Sequence, residues 1–484
     1  MTKNTRRNIL KTLFLTSSSL FAFTANAGGY LTNTNQSVAF LRNPSQDAII
    51  GISALYNNPA GVTFLNDGFH IALNIMNVHQ NRDITATYTP FAFGADNRGS
   101  STKKYCGNAV APVLPSLQTS YNANRWAFSF HFGVVGGGGK CEFASGLPSF
   151  ESKVSALSIA LADYGFCNYK YDTYMYGRNY QFGFQLGAGH KLNDKLSIYG
   201  GLRLVYATNN YFGYIKNIRM QYVANNTYYT AREFTAFQHE YIKQITAAGY
   251  VTAEEANAMH AKAQQLGYVL QDNMQNIGLN CNQHGWGVTP VIGADWKVNE
   301  KINLAAKIEL KTRIRLDNQS WNENTEGKDL DNYEDGLTVA EDVPAIVNVG
   351  AQYSPIKALR LNGGFHYYFD KQATKAGGKN KKLNGGTWEI TGGVEYDINS
   401  QWTVSAGWHN TNYPNTDDYM NDISFVTNSN SVGFGAKCRI SDAVAVEAGY
   451  FQTFYSSYSC TKNNLTSKYD RKNRVIGAAL TLDM

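Results

Sequence analysis

The chain has 484 residues, with 43 Lys+Arg against 37 Asp+Glu and a formal net charge of +6. Gly (44), Tyr (32) and Phe (25) are abundant, Pro (10) is scarce, and only 17% of residues are charged. The charge is modest and dispersed, which excludes a basic nucleic-acid surface, and no apolar run beyond the N-terminus reaches the length of a membrane helix. A mean hydropathy of −0.35 is no bar to membrane insertion by strands, because every second residue of a barrel strand faces a polar lumen.

The chain begins with a predicted export signal. Lys3, Arg6, Arg7 and Lys11 form a basic region, Leu13 to Phe23 an apolar core, and Ala25-Asn26-Ala27 a small-x-small cleavage site. Residues 1–27 are therefore expected to be removed, leaving a mature chain from Gly28. No cysteine follows the site, so no lipid attachment is expected there. Residues 28–66 are rich in Asn, Ser, Gly and Pro and sustain no strand alternation. Asn43-Pro44 and Asn57-Asn58-Pro59 are turn signals. Ala48, Ile49, Ile52 and Leu55 recur at helical spacing and predict a short helix. A barrel of the size that follows needs a filled lumen, so this segment is read as a plug or hatch, turned at Asn57, Asn58, Pro59, Ala60 and Gly61.

From residue 67 to 484 the pattern has period two. In Lys301–Leu316, Ile302, Leu304, Ala306, Ile308, Leu310, Ile314 and Leu316 fall on one face, and Lys307, Glu309, Lys311, Arg313 and Arg315 on the other. The pattern recurs to the C-terminus, where Ile476, Ala478, Leu480, Leu482 and Met484 share a face. Strands are predicted near 68–88, 113–122, 125–137, 173–191, 195–214, 285–298, 301–316, 343–353, 358–370, 386–398, 401–412, 430–440, 443–457 and 472–484. Tight turns alternate with long connections at 89–112, 138–172, 215–284, 317–342, 371–385, 413–429 and 458–471. Such sorting marks an all-β fold, a 14-stranded antiparallel transmembrane β-barrel of a Gram-negative outer membrane, with both termini on the short-turn side. Trp126, Phe128, Trp296, Trp402 and Trp408 take the outward register and suit interfacial girdles.

The long outer loop 215–284 carries a predicted helical hairpin. Phe234, Phe237, Tyr241 and Ile245 repeat at helical spacing, Gly249 breaks the run, and Thr252 with Glu255 makes a capping box. Cys106, Cys141, Cys167, Cys281 and Cys460 map to outer loops, with Cys141–Cys167 the simplest bridge, and Cys438 lies on a lipid-facing position. There is no CxxC, no HExxH and no metal-ligand cluster, so neither metal nor cofactor is expected. Ser129 and His131 share an inward face but lack a third catalytic group, so no enzyme activity is expected.

The Gly28-Gly29-Tyr30 start, the stretch Ala54-Leu55-Tyr56-Asn57-Asn58-Pro59-Ala60-Gly61 and the fourteen strands together resemble the long-chain fatty-acid transporter (FadL/TodX-type) family of outer-membrane barrels. The resemblance covers the whole mature chain in layout and only the plug in motif. It implies a monomer closed by an N-terminal hatch, and passive uptake of hydrophobic small molecules into outer-membrane lipid without a nucleotide. It also implies a side passage at a kink in the third strand. Here Gly133, Gly136, Gly137 and Gly138 are the candidates, since glycine permits bulges. Lys311, Arg313 and Arg315, inward by parity and near the outer mouth, are the candidate site for a carboxylate head group. Inward Glu309, Glu389, Glu395 and Glu447 are the competing partners for those cations. A haem-like amphiphile as cargo, or a purely adhesive or structural role, are the alternative readings.

Overall fold

A computed structural model describes residues 32–325 and 330–484. The predicted export signal and the Gly28–Tyr30 start lie outside the described residues. The strands run in chain order as β1 (Gly68–Thr87), β2 (Thr102–Ala123), β3 (Trp126–Phe143), β4 (Phe166–Lys191), β5 (Leu196–Tyr222), β6 (Thr227–Tyr229), β7 (Ile277–Lys297), β8 (Ile302–Glu309) and β9 (Arg315–Ser320). They continue as β10 (Thr338–Ala340), β11 (Ile346–Ile356), β12 (Leu359–Tyr368), β13 (Trp388–Asp397), β14 (Trp402–Asn412), β15 (Ser429–Arg439), β16 (Val444–Tyr455), β17 (Tyr458–Lys462) and β18 (Leu465–Asp483). β8 with β9, and β10 with β11, are segments of single barrel strands, while β6 and β17 only extend outer loops. Fourteen antiparallel strands remain, and β1 closes the barrel on β18 from His70↔Asp483 to Thr87↔Thr466. Met484 completes the closure by exchanging backbone hydrogen bonds with Phe69 at 2.7 and 2.8 Å.

The wall alternates as a barrel must. On β1, Ala72, Asn74 and Met76 are buried while Leu73 and Ile75 are exposed. Trp126, Phe128, Trp296, Trp402 and Trp408 are all exposed on the outer face. Among the described residues, no helix is long and apolar enough to cross a membrane.

Several strands reach further outward than their sequence alternation predicts. β2 starts at Thr102, β4 at Phe166, β7 at Ile277 and β18 at Leu465, and β5 runs to Tyr222. Beyond a hydrocarbon layer nothing requires the outward face to be apolar, so the pattern fades while backbone pairing continues. The extensions also correct the cysteine reading. Cys106, Cys141, Cys167 and Cys281 lie in barrel strands rather than loops, Cys460 lies in the β17 extension of an outer loop, and all six cysteines are free. Cys141 pairs with Gly177 across β3–β4, ten positions along β4 from Cys167, a separation of about 30 Å at strand rise.

The outer mouth is covered by helices. The predicted hairpin is present as Ala231–Ala247 and Ala253–Asn273, each opened by a full capping box, at Thr230/Glu233 and Thr252/Glu255. A further helix, Pro148–Ala160, lies within the stretch read as loop 138–172. Its Glu151 is a buried hub that accepts hydrogen bonds from Lys103 at 2.6 Å, Tyr105 at 2.7 Å and Tyr169 at 2.8 Å. Burial drives the Glu151 carboxyl up, but Lys103 and the hydrogen bonds from Asn97 and Tyr105 hold it below the usual carboxylate range.

The most consequential departure lies between β8 and β9. β7 pairs Val291 with Glu309 but Cys281 with Ser320, so one extra residue enters the β8–β9 strand at 310–314. A one-residue bulge reverses which face every later side chain takes. Lys307 and Glu309 are inward and buried, as expected, whereas Ile314 and Leu316 turn into the lumen. Arg313 and Arg315 are exposed, against the inward parity expected of them. Replacing Ile314 by Asp should therefore cost about 3 kcal/mol or more, because it buries an unpaired carboxyl. Arg313→Leu should cost little. The temperature at which the folded, fast-migrating band is lost on gels would rank the two, and unbroken alternation requires the opposite order.

Candidate functional site

Residues 32–65 lie inside the barrel and are almost wholly buried. The predicted helix over Ala48, Ile49, Ile52 and Leu55 is only a single tight turn, Ile52–Ala54. Wall and plug side chains take the carbonyls that a helix would use: Asn303 donates to Ala48 O at 2.9 Å, and Asn58 to Ile49 O at 3.2 Å. A short helix forms instead at Val38–Arg42, with the Ser37 hydroxyl accepting from Phe40 N and Asn74 capping Val38 N at 2.8 Å. Its apolar side chains Val38, Phe40 and Leu41 pack on Met76, Phe451 and Val475 of the wall.

The Asn57–Gly61 turn is seated by its own side chains. Asn58 Nδ2 donates to Asp295 at 2.5 Å, and Asn58 Oδ1 accepts from Gly61 N at 3.1 Å. A Cβ on Gly61 would stand 2.4 Å from Asn58 Nδ2 and 3.1 Å from the Asp295 carboxylate, so only glycine fits without moving that pair. The Ala60 carbonyl accepts from Ser197 at 2.8 Å, and Pro59 packs near Gly293.

Among the described residues, charged contacts at Arg42, Asp47, Lys307 and Arg203 bind plug to wall, and the sequence reading singled out none of these contacts. Arg42 meets Glu447 at 2.9 Å and Glu395 at 3.5 Å, and donates to Ser405 at 2.5 Å. Asp47 lies 2.9 Å from His366, whose other ring nitrogen is 2.9 Å from Glu389. Lys307 donates to the Tyr56 carbonyl at 2.7 Å and to Glu309 at 2.7 Å. Arg203, paired with Glu309 at 2.6 Å, stacks over the Tyr56 ring at 4.6 Å. Thus Glu309, Glu389, Glu395 and Glu447 all engage inward cations or histidines. Arg203 was legible as inward from the alternation of Leu202 and Leu204; Arg42 and Asp47 lie in a segment without periodicity and were not.

The candidate head-group cations are not assembled as a lumen ladder. Arg315 and Lys311 both reach Asp342, at 2.9 and 3.4 Å, and Arg315 is half exposed. The 310–314 bulge is the physical reason. Ser129 contacts Tyr199 OH at 3.2 Å, while His131 packs its ring against Tyr56 at 5.1 Å between centroids.

The glycine run at Gly133, Gly136, Gly137 and Gly138 coincides with a break in the wall. The β2–β3 ladder runs from Ala123↔Trp126 to Leu117↔Phe132, stops, and resumes only at Ala109↔Cys141. Two features produce the break. β3 bulges against β4, taking five steps from Val134 to Gly139 while β4 takes three from Phe182 to Asn179. Gly137 takes φ +91°, and a Cβ there would meet Asn179 O at 2.4 Å. On the other side, β2 carries Pro112 and Pro115 within the unpaired stretch, where neither can donate to a ladder. Those prolines are the sequence signal for the break that went unread.

The plug covers the break from inside. Asn33 N donates to Val135 O at 2.8 Å, Asn33 Nδ2 to Val134 O at 3.0 Å, and Gln36 Nε2 to Val134 O at 2.9 Å. The Gln36 carbonyl in turn accepts from Ser116 and, at 2.8 Å, from Gln118 of β2. Next to the break lies a buried apolar cluster of Tyr56, Val135, Val205, Ala207, Ile314, Leu316 and Val339.

Arg42→Met should destabilise the plug by about 3–5 kcal/mol, because Glu447 and Glu395 stay buried without their strongest partner. Protease cleavage near residue 50 in detergent should rise sharply in this variant, and adding Glu447→Gln and Glu395→Gln should restore most of the protection. Unchanged cleavage in Arg42→Met would mean that this ion pair does not hold the plug.

No protein-family model and no curated protein matches the sequence. Solved structures do match. A Pseudomonas aeruginosa FadL homologue superposes with a TM-score of 0.62 at 14% identity, over 94% of this chain and 99% of its own. The Pseudomonas putida toluene transporter TodX matches at 0.55 and 13%, over 93% and 99%. The Ralstonia pickettii toluene transporter TbuX matches at 0.53 and 15%, over 93% and 99%. At this level of identity the likeness is one of fold, and it agrees with the fourteen strands: the chain is a barrel with the fold of the FadL- and TodX-type channels.

Proposed function

We propose that this protein is an outer-membrane channel for the passive uptake of hydrophobic small molecules, long-chain fatty acids or similar compounds, by sideways release into the bilayer. The observation that carries the reading is the interrupted β2–β3 ladder beside a buried apolar cluster, with plug residues Asn33 and Gln36 across it. A barrel wall ordinarily leaves no unpaired backbone at membrane depth, because unsatisfied amide groups cost several kcal/mol each in hydrocarbon. An eight-residue lapse in the third strand calls for a purpose beyond closure.

Residues 1–27 act in this reading as the export signal, 28–66 as the hatch and 67–484 as the barrel. The outer aromatic cluster, which includes the buried Phe91, Phe166, Phe234 and Tyr419, would open to admit the apolar compound. Moving such a compound from water to hydrocarbon yields about 25 cal/mol per Å² of apolar surface, so diffusion into lipid is downhill and needs no energy source. The likeness to toluene transporters makes aromatic hydrocarbons reasonable cargo beside fatty acids, with a haem-like amphiphile as the alternative.

Deleting Gly137 and Gly138 removes the two-residue surplus of β3 over β4 and should flatten the bulge that opens the wall at this point. Uptake of a radiolabelled fatty acid by cells or proteoliposomes should then fall at least tenfold, with the barrel still folded and heat-modifiable. Full uptake by the deletion would rule out exit through this wall. Separately, a tag at Gly249 should be reachable on intact cells and one at Ser441 should not, as antibody labelling would reveal.

A further inference from the structure

The outer hairpin holds a contact that its packing does not call for. His239, on the helix Ala231–Ala247, and His260, on the helix Ala253–Asn273, bring their Nδ1 atoms to 2.7 Å. The two rings are tilted by 29° with centroids 4.9 Å apart, and both are half-buried. Of the nine histidines in the chain, seven lie on barrel strands, and the two that do not are the two that touch. They are 21 positions apart, on either side of the turn at Gly249, so no spacing in the sequence marks them as a pair.

The seam around the pair is small and apolar. Beside it, Ile242 packs on Ala256 and Ala263, with Val251 and Met259 against them. Nearer the barrel, Gly267 lies so close to Thr235 that a Cβ would stand 2.5 Å from the Thr235 hydroxyl. Phe234 then ties the first helix to the outer mouth, with its ring 4.6 Å from Phe166 and 5.0 Å from Tyr222. An alanine or leucine at each histidine position would simply continue this seam. Two facing imidazoles impose a condition that packing does not: one ring must carry its proton on Nδ1 and the other must offer an Nδ1 lone pair. The second helix is held to the first only through this seam and the buried Leu270 near its end.

We propose that His239 and His260 bind a divalent transition-metal ion, of the zinc, nickel or copper class, which clamps the two helices of the outer hairpin together. Imidazole suits these ions, and either ring nitrogen can serve as the ligand. Two bonds of about 2.0–2.1 Å at a tetrahedral angle place their nitrogens about 3.3 Å apart. That is about 0.6 Å wider than the 2.7 Å contact seen here, an opening that small rotations of two half-buried rings supply. The ring that held its proton on Nδ1 passes it to Nε2 through solvent. Both Nδ1 lone pairs then face the metal, with no net change in bound protons. Among the described residues no third His, Cys, Asp or Glu joins the pair, so water fills the remaining positions. Magnesium and calcium prefer oxygen ligands and find no carboxylate in this place. The clamp goes beyond the uptake reading and does not depend on what the lumen carries.

Full-length protein, purified in detergent without a histidine tag, is titrated with Zn²⁺ by calorimetry and then digested with trypsin in the presence and absence of the ion. One Zn²⁺ should bind per chain and slow cleavage at Lys243 and Lys262 at least threefold, and Mg²⁺ should do neither. His260→Gln keeps a side chain that can hydrogen-bond to His239 but removes the metal ligand. It should weaken Zn²⁺ at least tenfold and abolish the protection, and His239→Gln should do the same. If Zn²⁺ binds either variant as tightly as the unaltered protein, or fails to bind the unaltered protein, the site is overturned. Zn²⁺ that binds at the pair but leaves cleavage unchanged overturns the clamp. Should the Gln variants loosen the hairpin, His260→Cys decides: its thiolate restores a ligand, so Zn²⁺ affinity should return to within tenfold of the unaltered protein, and no recovery counts against the site.

Discussion

Closing an alternating sheet on itself forces half of the wall's side chains into one narrow lumen, and the charges among them need partners there. In this protein the plug supplies several of them. Glu447 and Glu395 meet Arg42, His366 meets Asp47, and Lys307 meets the Tyr56 carbonyl. Neither part is complete without the other. The plug's apolar side chains finish their packing on the wall: Val38, Phe40 and Leu41 on Met76, Phe451 and Val475, and Ile52, Leu55 and Val62 on Ala72 and Ala127. Buried ion pairs stabilise little in net terms, because desolvation offsets attraction. What they provide is position: each charge has one place where it is compensated, so the plug has one seat.

The same seat places Asn33 and Gln36 against the break in the wall. β3 cannot pair with β2 where Pro112 and Pro115 offer no N–H, and its surplus residues leave the Val134 and Val135 carbonyls without strand partners. Asn33 and Gln36 satisfy those carbonyls. Side-chain amides are well suited to this, because they replace ladder hydrogen bonds without becoming a strand. Such bonds can be exchanged for others at modest net cost, whereas a sealed ladder of eight residues must be unzipped as a unit. The segment nearest the break is thus fixed by a few amide contacts, and the body of the plug by buried charge.

Much of this was legible in the sequence, for a definite reason. Strand count, loop sorting and the plug's location follow from period-two alternation and its absence, and a hydrocarbon layer enforces that alternation over every strand that crosses it. Outside the layer the constraint lapses, so the outer extensions of β2, β4, β5, β7 and β18 were hidden, as was the helix Pro148–Ala160. A helix without a strong apolar stripe gives little periodic signal. The 310–314 bulge was hidden differently. Ile314 and Leu316 keep the apolar parity of Ile308 and Leu310, so KIELKTRIRL scans as unbroken while the backbone slips by one. Reading that stretch as straight put Arg313 and Arg315 in the lumen, and the error passed directly into the proposed head-group site.

The slip has a consequence for the lumen. Had the strand continued straight, Arg313 and Arg315 would join Arg203 and Lys307, which already lie over the Tyr56 ring, and bring two more charges to the lumen beside the wall break. With the bulge, Ile314 and Leu316 take that place, joining Val205, Ala207 and Val339 in a buried apolar cluster that includes Val135 of the break itself. Charge is then sorted by position. Arg82, Arg471 and Lys379 lie among outer aromatics, the ion pairs of Arg42, Asp47 and Lys307 hold the plug, and an apolar cluster adjoins the break. An apolar chain moving toward the membrane would exchange one hydrophobic surface for another at little free-energy difference, whereas a charged chamber there would raise a desolvation barrier against it. A single inserted residue in the β8–β9 strand therefore shapes this apolar cluster as much as the glycines of β3 shape the break.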